Sequence, residues 1–397
     1  MSAIDAILGE LTSLRGDASP EPTPEAAPVK PQKVKTQKVK ASVPPLQPSV
    51  EEPKQGYIDH NDRYDGLFFP REPDFVDGYK LKLPNGSHVS LQEVWEAYMA
   101  GENILLQGPS GSGKSTIVFH LIDKANHNIR EKNQEILRKN LDLISRGKDP
   151  VCKYLRIPYE VAHFSCHEAT RSESLIGSLT LKVNKDGSRE PIVVYGAVTD
   201  AWVNGKTLVL EEMDFAPPGV WGEAHQFFDG RTQETTVYIN GPEKIRKSSR
   251  FRVLATANTL GAGENQIEYS GTQVLNKAFM NRFSYIVNVG YMERDAECGL
   301  VKEKTGLGIE AIEGMVDAAT RCREAHAAGT FDAVITTRDI LSWARECVRA
   351  EKRMLTIPKD RHQYWQKVVL PSAGPTFMTR IADSGTLDVM STYLQLR

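Results

Sequence analysis

Residues Asn103–Thr116 read Asn-Ile-Leu-Leu-Gln-Gly-Pro-Ser-Gly-Ser-Gly-Lys-Ser-Thr, and this stretch decides the fold. Asn103–Gln107 is a short apolar run of strand length. Apolar residues at helical spacing, Ile117, Val118 and Leu121, follow the loop. Between them lies the pattern G-x-x-x-x-G-K-[ST], in the strand–loop–helix setting that gives it meaning. Gly108, Gly111 and Gly113 permit positive φ, which lets backbone N–H groups of the loop that also holds Pro109, Ser110 and Ser112 converge on phosphate oxygens. The helix that starts here adds its positive dipole end. Lys114 supplies a point charge for β- and γ-phosphates, and Ser115, followed by Thr116, supplies a hard hydroxyl oxygen for Mg²⁺. The segment predicts a site for ATP or GTP with Mg²⁺.

A phosphate site of this kind needs acidic groups on a neighbouring strand. Thr207–Leu210 is an apolar, β-rich run that ends in Glu211-Glu212-Met213-Asp214. At a strand end, Glu211 would sit beside the metal, and Glu212 could polarise an attacking water. A second apolar run, Phe251–Ala257, ends in Asn258, an amide suited to hold the lytic water or the γ-phosphate. Arg282 closes the helical stretch Asn276–Phe283, either as a surface ion pair or as an arginine finger.

Taken in order, GPSGSGKS, LVLEEMD, FRVLATANT and NRF resemble an AAA+ ATPase. More narrowly, Phe251–Phe283, FRVLATANTLGAGENQIEYSGTQVLNKAFMNRF, is similar to the MoxR-like group and to the ATPase subunit of aerobic cobaltochelatase, the CobS type of the dynein-related branch. The resemblance covers about Glu93 to Val348. It implies that Lys114 and Ser115 are Walker A, Glu211 and Glu212 Walker B, Asn258 sensor 1, Arg282 a finger acting on the neighbouring subunit, and Arg338 sensor 2. The Thr336-Thr337-Arg338-Asp339 run that carries Arg338 is also plain helix-capping chemistry. The implied fold is α/β: a parallel sheet flanked by helices, with a small helical lid. The implied assembly is a homo-oligomer, a hexameric ring whose clients in the family often carry a von Willebrand A domain.

Two hairpins are legible. Leu179–Val183 and Ile192–Tyr195 flank Asn184-Lys185-Asp186-Gly187-Ser188. A second pair, Glu234–Ile239 and Lys244–Phe251, surrounds Asn240-Gly241-Pro242. In the resembled family both face the ring pore, which would make Lys182, Lys185 and Arg189 pore groups; ordinary hairpin solvation explains them equally well. The sequence departs from the family in two places. Glu211 stands where Asp is usual, one methylene longer. Ile122–Val151 is a long charged helical stretch, read either as an exposed platform or as a tolerated insertion. His163-Phe164-Ser165-Cys166-His167 offers metal-ligand types but no second cluster, so a buried strand end is expected there.

The 397 residues suggest two or three domains. Lys plus Arg is 49 and Asp plus Glu 51; this net charge of −2 argues against wholesale polyanion binding and leaves room for a local basic patch. No run of eighteen apolar residues suggests a membrane span, and the acidic first residues do not read as a secretory signal. Five scattered cysteines, never spaced C-x-x-C, fit a reducing cytoplasm. Residues 1–56 hold nine of the 22 prolines and no aromatic residue, so they read as a disordered arm, with a short amphipathic helix over Ser2–Leu14 and a small lysine run from Lys30 to Lys40. Residues 57–292 read as the α/β core, 293–352 as the lid, and 353–397 carry no readable motif. The expected activity is ATP hydrolysis that drives remodelling of a partner protein. Two alternatives compete: a nucleic-acid-directed motor of the McrB type, less favoured by the charge balance, and a nucleotide-gated assembly protein with weak hydrolysis, which Glu211 motivates.

Overall fold

The structure, a computed structural model of the full chain, describes residues 78–150, 155–258, 276–329, 333–381 and 384–395. The expected N-terminal arm with its short helix, and the Tyr-x-Gly-Thr-Gln run, lie outside these residues. In chain order the main elements are β1 (Leu81–Lys82), α1 (Leu91–Ala100), β2 (Asn103–Gln107), α2 (Lys114–Ser145), β3 (Val161–Ser165), β4 (Gly177–Val183), β5 (Arg189–Tyr195), α3 (Ala197–Asn204), β6 (Thr207–Glu211) and α4 (Pro218–Ala224). They continue with β7 (Glu234–Tyr238), β8 (Pro242–Arg246), β9 (Arg252–Ala257), β10 (Tyr285–Val289), α5 (Arg294–Thr305), α6 (Ile309–Ala327), α7 (Thr337–Arg353) and α8 (Ser384–Gln395).

Six strands form one sheet in the order β1-β10-β2-β9-β6-β3. The five long strands run parallel, and only the two-residue β1 is antiparallel, against β10. This is the α/β fold expected. Helices cover both faces, so the central strands are apolar throughout rather than alternating. Ile104, Leu105 and Leu106 of β2 and Leu208, Val209 and Leu210 of β6 are all fully buried. One face packs against α1 and the first turns of α2 through Val94, Tyr98, Ile117 and Leu121. The other packs against α3 and α4, where Trp202, Trp221, Phe227, Phe228 and Phe279 interlock.

Parallel strands bring their carboxyl ends to one edge, where open α/β sheets bind ligands. Gln107 pairs with Ala257, and Ser165 with Glu211. The tips that precede the loop, the acidic pair and Asn258 are therefore neighbours because of register alone.

Both hairpins form. β4 and β5 extend the expected strands back to Gly177 and Arg189, and the Asn184–Ser188 turn is closed by Gly187 at φ 82°. In the second hairpin the return strand spans Pro242–Arg246 rather than starting at Lys244 and reaching Phe251. Pro242 is tolerated because a two-stranded ribbon leaves its nitrogen at an edge. The hairpins touch: Tyr195 Oη donates to Glu243 Oε1 at 2.6 Å.

The long charged stretch is the outer part of α2, a 32-residue helix about 48 Å long. It is buried as far as Ile129, while Leu141 and Ile144 near its end are exposed.

Helix α7 begins on a full capping box, Thr336 with Asp339. With α5 and α6 it builds a helical unit around the fully buried Trp343. The residues after 353, which carry no sequence motif, complete that core. Trp365 lies 6.0 Å from Trp343, Trp343 Nε1 donates to the Val369 carbonyl, and Trp365 Nε1 donates to Leu394 in α8.

Candidate functional site

A cleft of about 680 Å³ opens where the strand tips face the helical unit. Its floor is the loop Gly108–Gly113. Gly108, Gly111 and Gly113 have φ of 150°, 71° and 96°. A side chain at Gly108 would meet the Val289 carbonyl at 2.2 Å, at Gly111 the Thr336 side chain at 2.6 Å, and at Gly113 the Tyr79 ring at 2.6 Å. Pro109, Ser110 and Ser112 complete the turn, and α2 starts immediately after Gly113, so its N-terminal amides open into the cleft.

Lys114 is 7% exposed and donates to the carbonyls of Gly108 and Pro109 at 2.8 and 2.9 Å and to Asn258 Oδ1 at 3.0 Å. Burial pushes its ammonium down to about 8; Asp214 and Glu212 pull the other way, and Arg338 adds to the depression. The amine is held where a phosphate would compete for it with neutral oxygens. A charged acceptor wins that competition.

Glu211 ends β6 and hydrogen-bonds both His163 and Ser115; the bond from His163, chiefly, holds its carboxyl below the ordinary range. His163 Nε2 lies 2.9 Å from Glu211 Oε2, and this bond raises the imidazole against a smaller opposing effect of burial. Glu212 adopts φ 53°, ψ 45°, the only positive φ outside glycine among the described residues. Strain of this sort persists only where the surroundings fix it. Here the Glu212 N–H donates to Thr256 Oγ1 at 3.1 Å. Asn258 is fixed by its own N–H, which donates to the fully buried Asp214 at 2.9 Å.

Arg338, exposed on the first turn of α7, lines the cleft beside these groups. Arg282 does not. Its carbonyl accepts from Asn103 at the start of β2, and its guanidinium pairs with Asp229 at 2.6 Å. That is the opposite sheet edge, four strand residues from Gln107, or about 13 Å. Ser115, Thr116, Lys114, Glu211, Glu212, Asn258 and Arg338 thus converge in one protomer, and Arg282 stands apart.

Several groups had no signal in the sequence. Tyr79, hydrogen-bonded to Thr116, forms one wall with Met292, Leu300 and Leu341, an apolar surface of the kind an aromatic base needs. Arg345, two turns beyond Arg338, reaches the same rim. Asp214 was legible as an acid but not as the anchor of Asn258. The segment around His163 was expected to be a buried strand end. Cys166 is buried, and burial pushes its thiol to about 12, but His163 and His167 are exposed.

Among the described residues no three His, Cys, Asp or Glu side chains form a metal cluster. The Ser115 hydroxyl and the Glu211 carboxylate are two adjacent hard oxygens. They fit Mg²⁺, which binds through one or two protein groups and substrate phosphates.

Residues 150–283 match the AAA domain of the dynein-related subfamily. The aerobic cobaltochelatase subunit CobS of a Sinorhizobium species is 26% identical over 262 residues, covering 64% of this chain and 68% of that protein. Residues 150–283 are thus similar to dynein-related AAA domains, and the chain resembles the CobS/MoxR-like group of AAA+ proteins. An uncharacterised Staphylococcus aureus protein is 27% identical over 216 residues, 54% of this chain and 66% of its own length. Among solved structures, the RuvB Holliday junction branch migration motor of Thermotoga maritima aligns with a TM-score of 0.40 at 10% identity, over 72% of this chain and 68% of that one. NtrX of Brucella abortus in complex with ADP aligns at 0.38 and 12% identity, over 77% and 62%. The matched region starts beyond the loop Gly108–Gly113 and contains both hairpins, the acidic pair, Asn258 and Arg282. No helix among the described residues is long and apolar enough to cross a membrane.

Proposed function

We propose that this AAA+ chain hydrolyses ATP in a ring of identical subunits and uses the cycle to remodel or activate a partner protein. The observation that carries this reading is the convergence of Lys114, Ser115, Glu211, Glu212, Asn258 and Arg338 on one cleft beside a helix N-terminus. ATP would lie with its base against Tyr79 and Leu341 and its phosphates over the loop amides. Mg²⁺, held by Ser115 and Glu211, would neutralise charge on the β- and γ-oxygens. Lys114 leaves its carbonyl partners for the γ-phosphate and frees Asn258, which then orients water. Glu212 accepts the proton of that water as it attacks in line.

Arg282 faces away from its own cleft, which supports a role at the cleft of a neighbour. Its bond to Asp229 holds the guanidinium for presentation across a subunit boundary. The hairpins favour a polypeptide client over nucleic acid. The exposed residues Leu179, Leu181 and Val183 share one face of β4 with Val193 opposite. The charges of the β4–β5 hairpin nearly cancel, and Lys182 faces Glu190 at 3.8 Å. The test is steady-state phosphate release by the wild type and by Glu212→Gln. General-base loss costs about 10²- to 10⁴-fold. A variant that binds ATP and turns over at least 100-fold slower supports the reading, and equal rates refute it.

A further inference from the structure

Glu211 occupies a position where the resembled family uses Asp, and the structure shows what the added methylene reaches. β3 and β6 run in register, with Ser165 opposite Glu211 and His163 opposite Val209. His163 therefore lies one pleat back on the adjacent strand, on the same sheet face, and its Nε2 meets Glu211 Oε2 at 2.9 Å. A carboxylate accepts only, so the imidazole is the donor. An aspartate carboxylate at this position would fall about 1.5 Å short, beyond hydrogen-bond range. The Ser115 hydroxyl also hydrogen-bonds this carboxylate. One helical turn after Ser115, Phe119 sits edge-on to the His163 ring, with centroids 5.9 Å apart. Two residues on one face of α2 thus hold two residues on neighbouring strands.

We infer that His163 is a positioning residue: it straps the longer Glu211 side chain so that its carboxylate is presented beside Ser115 to the nucleotide's divalent cation. The inference rests on the reading of the cleft as a nucleotide site. Glu adds a rotatable bond that Asp lacks, and His163 on β3 restrains it. Partners of this kind, which orient a metal-binding side chain, typically contribute about 10- to 100-fold in metal affinity. His163 and the methylene of Glu211 are one device: without the strap, the shorter side chain becomes the better ligand.

The test measures Mn²⁺ affinity by electron paramagnetic resonance with the full chain saturated with ADP, alongside ADP affinity in EDTA. His163→Ala is expected to weaken Mn²⁺ about tenfold or more and leave metal-free ADP binding within about twofold. His163→Phe keeps the ring packing on Phe119, removes the donor, and is expected to show the same loss. Adding Glu211→Asp to His163→Ala should return Mn²⁺ affinity to within about threefold of the wild type. Wild-type Mn²⁺ affinity in both single variants, or no recovery in the double variant, overturns the inference while ADP binding stands. A wild type that binds no ADP in EDTA overturns the reading of the cleft itself.

Discussion

Replacing Arg282 by alanine separates a group that serves its own cleft from one that serves a neighbour's. The guanidinium belongs to the sheet edge where the Arg282 carbonyl meets Asn103, at least about 13 Å along β2 from the phosphate loop. At that separation in water each unit charge contributes about 0.3 kcal/mol, and a Debye length of about 8 Å reduces this roughly fivefold. A nucleotide with four negative charges then feels about 0.2 kcal/mol, and its Kd changes by less than about 1.5-fold. In trans the same group would act on the transferring phosphoryl, where such an arginine contributes about 10³- to 10⁵-fold in rate. Arg282→Ala should therefore bind a fluorescent ATP analogue like the wild type and turn over at least 10³-fold more slowly. Mixing decides the geometry. Arg282→Ala keeps an intact cleft, and Lys114→Ala keeps an intact arginine. Mixed oligomers of two inactive variants should recover a measurable part of wild-type turnover. A tenfold loss of ATP affinity in Arg282→Ala, or silent mixtures in which mass spectrometry shows mixed oligomers, would refute the trans assignment.

Other outcomes follow from the same geometry. Glu297 is buried against Arg323 at 2.8 Å and accepts from Thr337, at the joint between α5, α6 and α7; Glu297→Ala leaves Arg323 uncompensated and should lower stability to urea by about 3–5 kcal/mol. Burial pushes the Lys114 ammonium down to about 8, and a bound phosphate would select the charged amine. ADP affinity in EDTA should therefore weaken about tenfold between pH 7 and pH 9, the charged fraction falling from about nine-tenths to one-tenth, and calorimetry of Lys114→Arg should show no such slope.

The parts that were legible are those whose signal is local. The loop Gly108–Gly113 is fixed by chain spacing. β2, β6 and β9 announce themselves as apolar runs that end in polar groups, and Asp186-Gly187 marks its own turn. Where a group depends on strand order, the sequence is silent. His163 and Glu211 are 48 residues apart and meet only because β3 lies beside β6. The N–H of the left-handed Glu212 meets Thr256 on β9, 44 residues further along the chain. The residues after 353 show no clean period because Trp365, Phe377 and Leu394 reach one core from three short segments. Arg282 is legible only as an arginine at the end of a helical stretch; its separation from the cleft of its own chain depends on the Asn103 contact.

Everything rests on nucleoside triphosphate being gripped in the cleft between the loop and α7. Isothermal calorimetry of the purified chain with Mg·ATP measures this directly. One site per chain should bind with a measurable heat that disappears in a folded Lys114→Ala variant. Absence of heat in the wild type, or equal heats in the two proteins, would contradict the account.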